Sequence, residues 1–241
     1  MDSDPDKSGY KKILIKLSGE ALMGPTEFGI HTPTVESICT QIKEIRDLDK
    51  EVGVVVGGGN IFRGLHASER GMDRVAADHM GMLATAINAL ALMDTLEGMG
   101  VYTRVMSAVR IEAFMETYIC RRAIRHMEKG RVVIFAAGTG NPFFSTDTAA
   151  SLRAMEVGAD VLIKATQVDG VYSEDPKKNP EAEFFPKLDY MDVLRKNLRV
   201  IDLTAISLLK ENDIPLRVVD IGKAGNLRRA ACGENVGTLV S

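Results

Sequence analysis

Residues 132–150 read Val-Val-Ile-Phe-Ala-Ala-Gly-Thr-Gly-Asn-Pro-Phe-Phe-Ser-Thr-Asp-Thr-Ala-Ala, and this stretch indicates the class of fold. Its first four residues are an apolar run of the kind found in buried strands, and a helical pattern begins at Asp147. Between them, Gly138 and Gly140 allow the backbone to turn with its N–H groups open. The stretch therefore predicts a strand-to-helix junction, which is where α/β proteins bind ligands.

The same alternation of strand and helix patterns extends over most of the chain. The predicted strands are 12–17, 52–56, 101–106, 132–136, 160–166 and 216–219, and the predicted helices are 35–48, 73–97, one ending over 123–129, 147–157, 190–196 and 203–212, with a turn at 169–172. Such alternation predicts an α/β fold: a three-layer αβα sandwich around a mainly parallel central sheet. We predict a disordered lead-in at 1–9 and a single domain at 10–241.

The composition is that of an ordinary globular protein. The chain has 241 residues, of which 45% are hydrophobic and 26% charged, and this length suits one α/β domain. Because the formal net charge is -3, the sequence predicts no bulk attraction to nucleic acid or to an anionic membrane. Any phosphate binding is therefore expected to be local.

The cysteines and the N-terminus indicate a cytoplasmic protein without a metal site of its own. Cys39, Cys120 and Cys232 lie far apart and form no CxxC pair, which argues against a zinc site and a disulfide framework. The first ten residues are polar and lack the apolar core of a signal peptide. The most apolar stretch, 80–93, is interrupted by polar residues and fits a buried helix better than a membrane span.

Lysines, glycines and hydroxyl groups recur where the predicted strands end. Lys16 and Ser18 end the first strand, a glycine turn at 57–60 ends the second, and the loop 138–147 and the segment 164–166 end two others. Because parallel strands place their carboxyl ends on one edge, these groups are expected to gather there. Cations, open N–H groups and one carboxylate, without a nucleophile–base pair, suit phosphoryl transfer.

Each of these features also has a purely structural explanation. A strand-end lysine such as Lys16 or Lys164 is usually a solvated charge, and a glycine run such as 57–59 can be a plain tight turn. Asp147 has the position of a helix-capping residue, a role that is compatible with catalysis. Core or subunit packing explains the aromatic pair 143–144 nearly as well as contact with a planar base.

Five segments carry a family resemblance: Lys16–Glu20, Gly57–Arg63, Asp78–Leu83, Gly138–Phe144 and Lys164–Tyr172. Together they resemble the bacterial uridylate kinases, a branch of the amino acid kinase fold, and the likeness runs from about residue 10 to the C-terminus. The first two segments alone indicate only the wider fold, whereas the third combined with the fourth is specific to the uridylate branch. No GxxxxGK[ST] motif occurs, which excludes the P-loop nucleoside monophosphate kinases.

The resemblance implies the reaction ATP + UMP giving ADP + UDP, with Mg²⁺ as part of the ATP complex and no tightly bound cofactor. By motif position, the ATP site would contain Lys16, Leu17, Ser18, Gly19, Gly59, Arg63, Thr166, Tyr172 and Asp175. The UMP site would contain Gly58, Asp78, Thr139, Gly140, Asn141, Pro142, Phe143, Phe144, Ser145 and Thr146, with Asp78 binding the ribose hydroxyls. Lys16 and Lys164 would stabilise the transferring phosphoryl group, and Asp147 would orient the lysines or the metal.

The resemblance also implies a cytoplasmic homohexamer that GTP activates and UTP inhibits. The loop matching the one linked to GTP activation contains Gly24, Pro25, Thr26, Glu27, Phe28 and Gly29. Pro25 departs from the residue more often expected there, and Tyr172 stands where phenylalanine is more usual. Two alternatives remain at this point: an enzyme of this fold that phosphorylates a carboxylate or carbamate, and a non-catalytic nucleotide- or anion-binding member of the fold.

Overall fold

The computed structural model describes residues 9–64, 71–176, 178–196, 198 and 200–241, so the predicted lead-in lies outside the described residues apart from Gly9. The strands are β1 (Lys12–Leu17), β2 (Glu51–Val56), β3 (Thr103–Ser107), β4 (Glu116–Thr117), β5 (Val132–Ala136), β6 (Val161–Thr166), β7 (Val171–Tyr172), β8 (Phe184–Phe185), β9 (Lys187–Leu188), β10 (Leu216–Asp220) and β11 (Thr238–Val240). The helices are α1 (Thr32–Arg46), α2 (Arg74–Gly98), α3 (Cys120–Glu128), α4 (Thr146–Val157), α5 (Tyr190–Arg195), α6 (Leu203–Glu211) and α7 (Asn226–Ala231).

Most of these strands belong to a single sheet. Within the described residues its order is β4-β3-β5-β2-β1-β6-β10-β11-β9, and every neighbouring pair is parallel except β10 with β11. The prediction of a mainly parallel sheet is therefore confirmed. The predicted turn at 169–172 is wrong in its second half, because Val171 and Tyr172 form β7 and pair antiparallel with β8. A strand of two residues has no periodicity that a sequence pattern can detect.

Helices cover both faces of the sheet, as the sequence predicts. In β1, Ile15 packs into a core that includes Ile42 of α1, whereas Leu14 packs into a second core that includes Ala150 of α4. Helices α1, α2 and α7 contribute to the first core, and α3, α4, α5 and α6 to the second. Alternate side chains of one strand thus serve two helical layers, which makes the fold a three-layer αβα sandwich.

Helix α2 is a core helix in this arrangement. It is the one helix of the described residues that is long and apolar enough, by composition, to cross a membrane. Its residues Ala89, Leu92 and Leu96 are fully buried in the core that it shares with α1 and the sheet. This packing matches the prediction of a buried helix, since core helices of the same length have the same composition.

Gly58 in the turn after β2, and Gly19 after β1, are packed too closely for side chains. A Cβ atom added to Gly19 would lie 2.6 Å from the amide nitrogen of Gly59, and one added to Gly58 would lie 2.8 Å from the carbonyl oxygen of Gly81. Inside the turn, the fully buried Asn88 of α2 donates to the carbonyl of Gly57 at 2.7 Å. The glycines therefore allow the ends of β1 and β2 to approach each other and α2.

Asn88 gives a test of how firmly this turn is held. Its amide also exchanges two hydrogen bonds with the buried amide of Asn60, at 2.7 and 3.0 Å. Asn88→Ala leaves the carbonyl of Gly57 and the Asn60 side chain without these partners, so we expect the free energy of unfolding to fall by about 2–4 kcal/mol. Asn212→Ala is the control, because that amide is exposed and donates to the Leu208 carbonyl. Equal urea midpoints for the two variants would contradict the expectation.

Candidate active site

Lys16 and Lys164 lie side by side at the carboxyl edge of the sheet. They are register partners in the parallel pair β1–β6, and both reach Asp147 in the first turn of α4. The Nζ atom of Lys16 lies 2.9 Å from Oδ1 of Asp147, and the Nζ atom of Lys164 lies 2.9 Å from Oδ2. Lys164 also donates to the carbonyl of Val200 at 2.6 Å. The structure thus brings the three predicted catalytic residues into direct contact.

The electrostatics of this cluster combine burial with opposite charges. Burial raises the pKa of Asp147, but the ammonium groups of Lys16 and Lys164 outweigh it, and the pKa lies below its ordinary value. The pKa of Lys164 lies below its ordinary value, because burial lowers it and the charge of Lys16 acts in the same direction. The carboxylate of Asp147 raises this pKa but does not outweigh burial. At 2.9 Å, the contact between Lys16 and Oδ1 is a close ion pair in a shielded position.

The start of α4 holds the carboxylate in place. Ser145 is the N-cap, and its hydroxyl accepts from the amides of Asp147 and Thr148, each at 3.0 Å. The same hydroxyl donates to Asp202, which also accepts from the hydroxyl of Thr148 at 3.0 Å and from the amide of Ala205 at 3.0 Å. Sequence reasoning missed Asp202, and the signal for it was its N-cap position before α6.

A cavity of about 470 Å³ reaches the residues Ser145 and Thr146, which directly precede Asp147 in the chain. Of the residues predicted for UMP, those lining it are Gly58, Asp78, Thr139, Asn141, Phe144, Ser145 and Thr146. Gly59 and Arg63, predicted for ATP, also line it, as do Glu20, Arg74, Met82, Thr85 and Gly138, which were not predicted. Gly140, Pro142 and Phe143 are not among the lining residues, and the Phe143 ring is 65% exposed.

Asp78 ties helix α2 to the loop after β5. Its Oδ2 atom accepts from Nε of Arg74 at 2.8 Å and from the amide of Phe143 at 2.7 Å. Phe143 has a positive φ of 71°, and its ring lies 5.6 Å from the Arg74 guanidinium carbon. Sequence reasoning missed Arg74, although its spacing of four residues from Asp78 on a helix places the two side chains together.

The residues predicted for ATP occupy the ends of β1 and β6 and the segment that follows β6. Leu17 is fully buried, so its side chain belongs to the core and only its backbone can face a ligand. Arg63 pairs with Glu20 at 2.7 Å on the rim of the cavity. Thr166 ends β6, directly after Ala165, which is the register partner of Leu17 on β1. The hydroxyl of Tyr172 in β7 donates to Asp169 at 2.7 Å.

Ser18, Gly19 and Asp175 complete the predicted ATP set. The hydroxyl of Ser18 accepts from the amide of Ala21 at 3.2 Å and so caps the short 3-10 turn Gly19–Leu22. Asp175 is exposed in the loop after β7, where its carbonyl accepts from the amide of Lys178 at 3.0 Å. The structure therefore places Ser18 and Gly19 beside Lys16, and Asp175 on a separate surface loop.

The loop at 24–29 contacts the glycine turn directly. The amide of Gly29 donates to the carbonyl of Asn60 at 2.9 Å, and the Asn60 side chain donates back to the carbonyl of Gly29 at 2.9 Å. Phe28 extends from the loop with 68% of its surface exposed. The loop is thus anchored at its end and presents an aromatic ring outward.

The described part of the chain contains no group of three or more His, Cys, Asp or Glu side chains arranged to hold a metal ion. In the lysine cluster, each oxygen of Asp147 already lies beside an ammonium group. A divalent cation needs several oxygen ligands around it. The site therefore fits a cation that arrives with most of its ligands supplied by a phosphate chain.

Comparison with known proteins agrees with this geometry. Residues 11–220 match the amino acid kinase family. The structure of UMP kinase from Bacillus anthracis is similar, with 43% identity and a TM-score of 0.93 over 97% of this chain and 96% of that one. UMP kinase from Ureaplasma parvum has 38% identity and a TM-score of 0.90 over 96% and 98% of the two chains, and uridylate kinase from Archaeoglobus fulgidus has 30% and 0.75 over 95% and 100%. Matched over most of its length and carrying paired lysines at the sheet edge, the chain belongs to the amino acid kinase family.

Proposed function

We propose that this protein transfers the γ-phosphoryl group of MgATP to UMP, giving ADP and UDP for pyrimidine nucleotide biosynthesis. The observation that carries the proposal is a cavity lined by Asp78 and by hydroxyl groups, next in the chain to Asp147, which pairs with both lysines. Thr146 lines that cavity and directly precedes Asp147 in the chain. The names of the three similar structures, two UMP kinases and one uridylate kinase, support the choice of acceptor.

The proposed chemistry is direct transfer between two phosphate groups. A phosphate oxygen of UMP attacks the γ-phosphorus of ATP, and the bond from that phosphorus to the β-phosphate oxygen breaks, which releases ADP. Lys16 and Lys164 balance the negative charge on the transferring group, and Asp147 holds their ammonium groups in position. Mg²⁺ enters with ATP as part of the substrate and is held mainly by its phosphates.

Asp78 selects a ribonucleotide acceptor in this proposal. Its carboxylate lines the cavity, and Oδ1 is not needed for the contacts that Oδ2 makes with Arg74 and Phe143. A carboxylate oxygen accepts hydrogen bonds from adjacent ribose hydroxyls. UTP carries the same uridine, so we propose that it inhibits by occupying the UMP cavity. A carboxylate or carbamate acceptor would have no ribose for Asp78 to bind.

GTP activation is proposed to act through the loop 24–29. That loop is hydrogen-bonded to Asn60, and Asn60 is hydrogen-bonded to Asn88, which holds the carbonyl of Gly57 in the glycine turn. A ligand at the loop can change activity only by binding one arrangement of this connection better than another. Pro25 restricts the backbone of the loop, which limits how far the two arrangements differ.

Self-association, as a homohexamer, is the proposed assembly in the cytoplasm. Helix α2 presents Met80, Leu83 and Ile87 on one exposed stripe, with 43%, 54% and 49% of their surfaces accessible. Positions three and four residues apart lie on the same face of a helix. Exposed apolar patches of this kind mark association sites, and covering this one with a second copy removes it from water. No nucleic acid or membrane partner is proposed.

Replacing Lys164 tests the catalytic part. We expect Lys164→Met to lower kcat roughly a hundredfold, with a much smaller rise in the KM for UMP, because loss of a preorganised cation in such a site weakens binding of the transition state. Lys12→Met is a matched control at the opposite sheet edge, where its ammonium lies 3.5 Å from Glu51 and its side chain is 19% exposed, against 18% for Lys164. Initial rates of ADP release are measured for both variants. A change in kcat of less than about threefold in Lys164→Met would show that Lys164 is not part of the reaction.

Acceptor choice tests the role of Asp78. We expect dUMP to be a markedly poorer acceptor than UMP, because the missing 2′-hydroxyl removes one of the two hydrogen bonds that the ribose donates to Asp78. The ratio of kcat/KM for UMP and dUMP should move toward one in Asp78→Ala, and Asp78→Asn should give an intermediate ratio because it keeps one acceptor oxygen. Equal use of UMP and dUMP by the unaltered protein would contradict the assignment.

The effector loop has a test of its own. In a variant with both Glu27→Ala and Phe28→Ala, the ratio of rates with and without GTP should fall to one, because the exposed groups of the loop are gone. The measurement is initial rate against GTP concentration at fixed UMP and ATP. Glu44→Ala, an exposed carboxylate on α1, serves as the control. Unchanged GTP activation in the double variant would place the effector elsewhere.

A further inference from the structure

Arg153 is a buried arginine that lies behind the acceptor cavity. It belongs to α4, only 4% of its surface is exposed, and it is not among the residues that line the cavity. Its Nη1 atom pairs with Glu156 at 2.5 Å, and the face of the Tyr118 ring lies 4.0 Å from its guanidinium carbon. The hydroxyl of Tyr118 donates to the same Glu156 oxygen at 2.7 Å. The guanidinium is thus held rigidly by a carboxylate and an aromatic face.

The other end of the guanidinium reaches the loop that follows β5. Nη2 of Arg153 donates to the carbonyl of Gly138 at 3.3 Å. Gly138 and the residue before it, Ala137, both have positive φ angles, of 59° and 62°. The amide of Ala137 donates to the hydroxyl of Thr85 from α2 at 2.8 Å. Side chains from both helical layers are therefore hydrogen-bonded to the backbone of two consecutive residues, Ala137 and Gly138.

The backbone conformation of Ala137 explains why these hydrogen bonds are needed. A left-handed conformation is unfavourable for a residue with a Cβ atom, and it persists only where surrounding contacts enforce it. Here it turns the chain sharply at the end of β5, so that Gly138 and Thr139 face the cavity. The amide of Gly140 closes this turn on the carbonyl of Ala137 at 2.9 Å. A loop in this conformation has a fixed set of groups directed toward a ligand.

We propose that Arg153 is a positioning residue for the acceptor: by holding the carbonyl of Gly138, it fixes the loop 138–141 against the bound nucleotide. The inference rests on the proposed function for the identity of that nucleotide, UMP. Arg153 does not touch the acceptor and acts only through the loop. Loss of its hydrogen bond allows Ala137 to relax to a commoner backbone conformation, which moves Gly138 and Thr139 out of the binding position.

Arg217 is a matched control for the same substitution. It is 3% exposed, and its Nη1 donates to a single backbone carbonyl, that of Val236, at 3.0 Å, far from the loop in sequence. Arg153→Met and Arg217→Met both remove a buried guanidinium and keep an unbranched apolar side chain. Both are expected to lower stability. Only the first removes a contact to the acceptor loop.

The kinetic test compares the two substrates. In Arg153→Met we expect the KM for UMP to rise roughly tenfold or more while the KM for ATP changes less than about twofold, because one charge-assisted hydrogen bond to the loop is lost. Arg217→Met should leave both constants within that twofold limit. Arg153→Lys, which retains a cation beside Glu156, should restore part of the UMP affinity. Equal rises of both constants in Arg153→Met, or the same pattern in Arg217→Met, would overturn the proposal.

A second measurement separates this proposal from the proposed function. Amide hydrogen exchange of peptides covering 137–145 should be faster in Arg153→Met than in the parent protein without any nucleotide present, and unchanged in Arg217→Met. If the parent protein does not phosphorylate UMP, the proposed function fails while this exchange result still decides whether Arg153 holds the loop. If Arg153→Met does not fold, Arg153→Gln is compared in its place, because it also removes the guanidinium. Unchanged exchange in the variant examined would overturn the proposal.

Discussion

The rest of the site depends on one carboxylate placed between two ammonium groups. Lys16 and Lys164 are register partners on neighbouring parallel strands. Two positive charges on adjacent strands repel each other strongly where burial excludes water. Asp147 contacts both, at 2.9 Å each, and makes their closeness stable. The cluster then presents two fixed cations and one anion, so positive charge remains to meet a phosphate chain. Positions fixed before the substrate arrives need little rearrangement during transfer.

Holding that carboxylate and the adjoining loop requires contacts from several helices. Asp202, before α6, accepts from the Ser145 hydroxyl that caps α4. Thr85 of α2 and Arg153 of α4 contact the backbone at the end of β5 from opposite sides of the sheet. The polar groups in this region are thus bonded to one another across long distances in sequence. Such a network gives the loop one conformation and also makes it sensitive to loss of any member.

The periodicity of apolar residues predicted most helices and strands, because it depends only on residues that are near one another in the sequence. The strand at 132–136 and the alternation of layers follow from residue periodicity, and α2 was expected at 73–97 and found at Arg74–Gly98 with Asp73 as its cap. The paired lysines were predicted to meet because parallel strands end at a common edge. Patterns could not show that Arg153 reaches Gly138 or that Thr85 binds Ala137, since these contacts depend on tertiary packing. The two- and three-residue strands were missed because they are too short for a periodic signal.

Phosphoryl transfer by the lysine cluster is proposed to use a nucleotide acceptor in the adjoining cavity. Its most direct test is ADP release from ATP with UMP, CMP, glutamate or carbamate as the sole acceptor, at equal enzyme and Mg²⁺ concentrations. We expect rapid ADP release with UMP and little with glutamate or carbamate, because only a ribonucleotide uses Asp78 and the loop that Asp78 holds. Preferential use of glutamate or carbamate, or no release with any of the four, would contradict it.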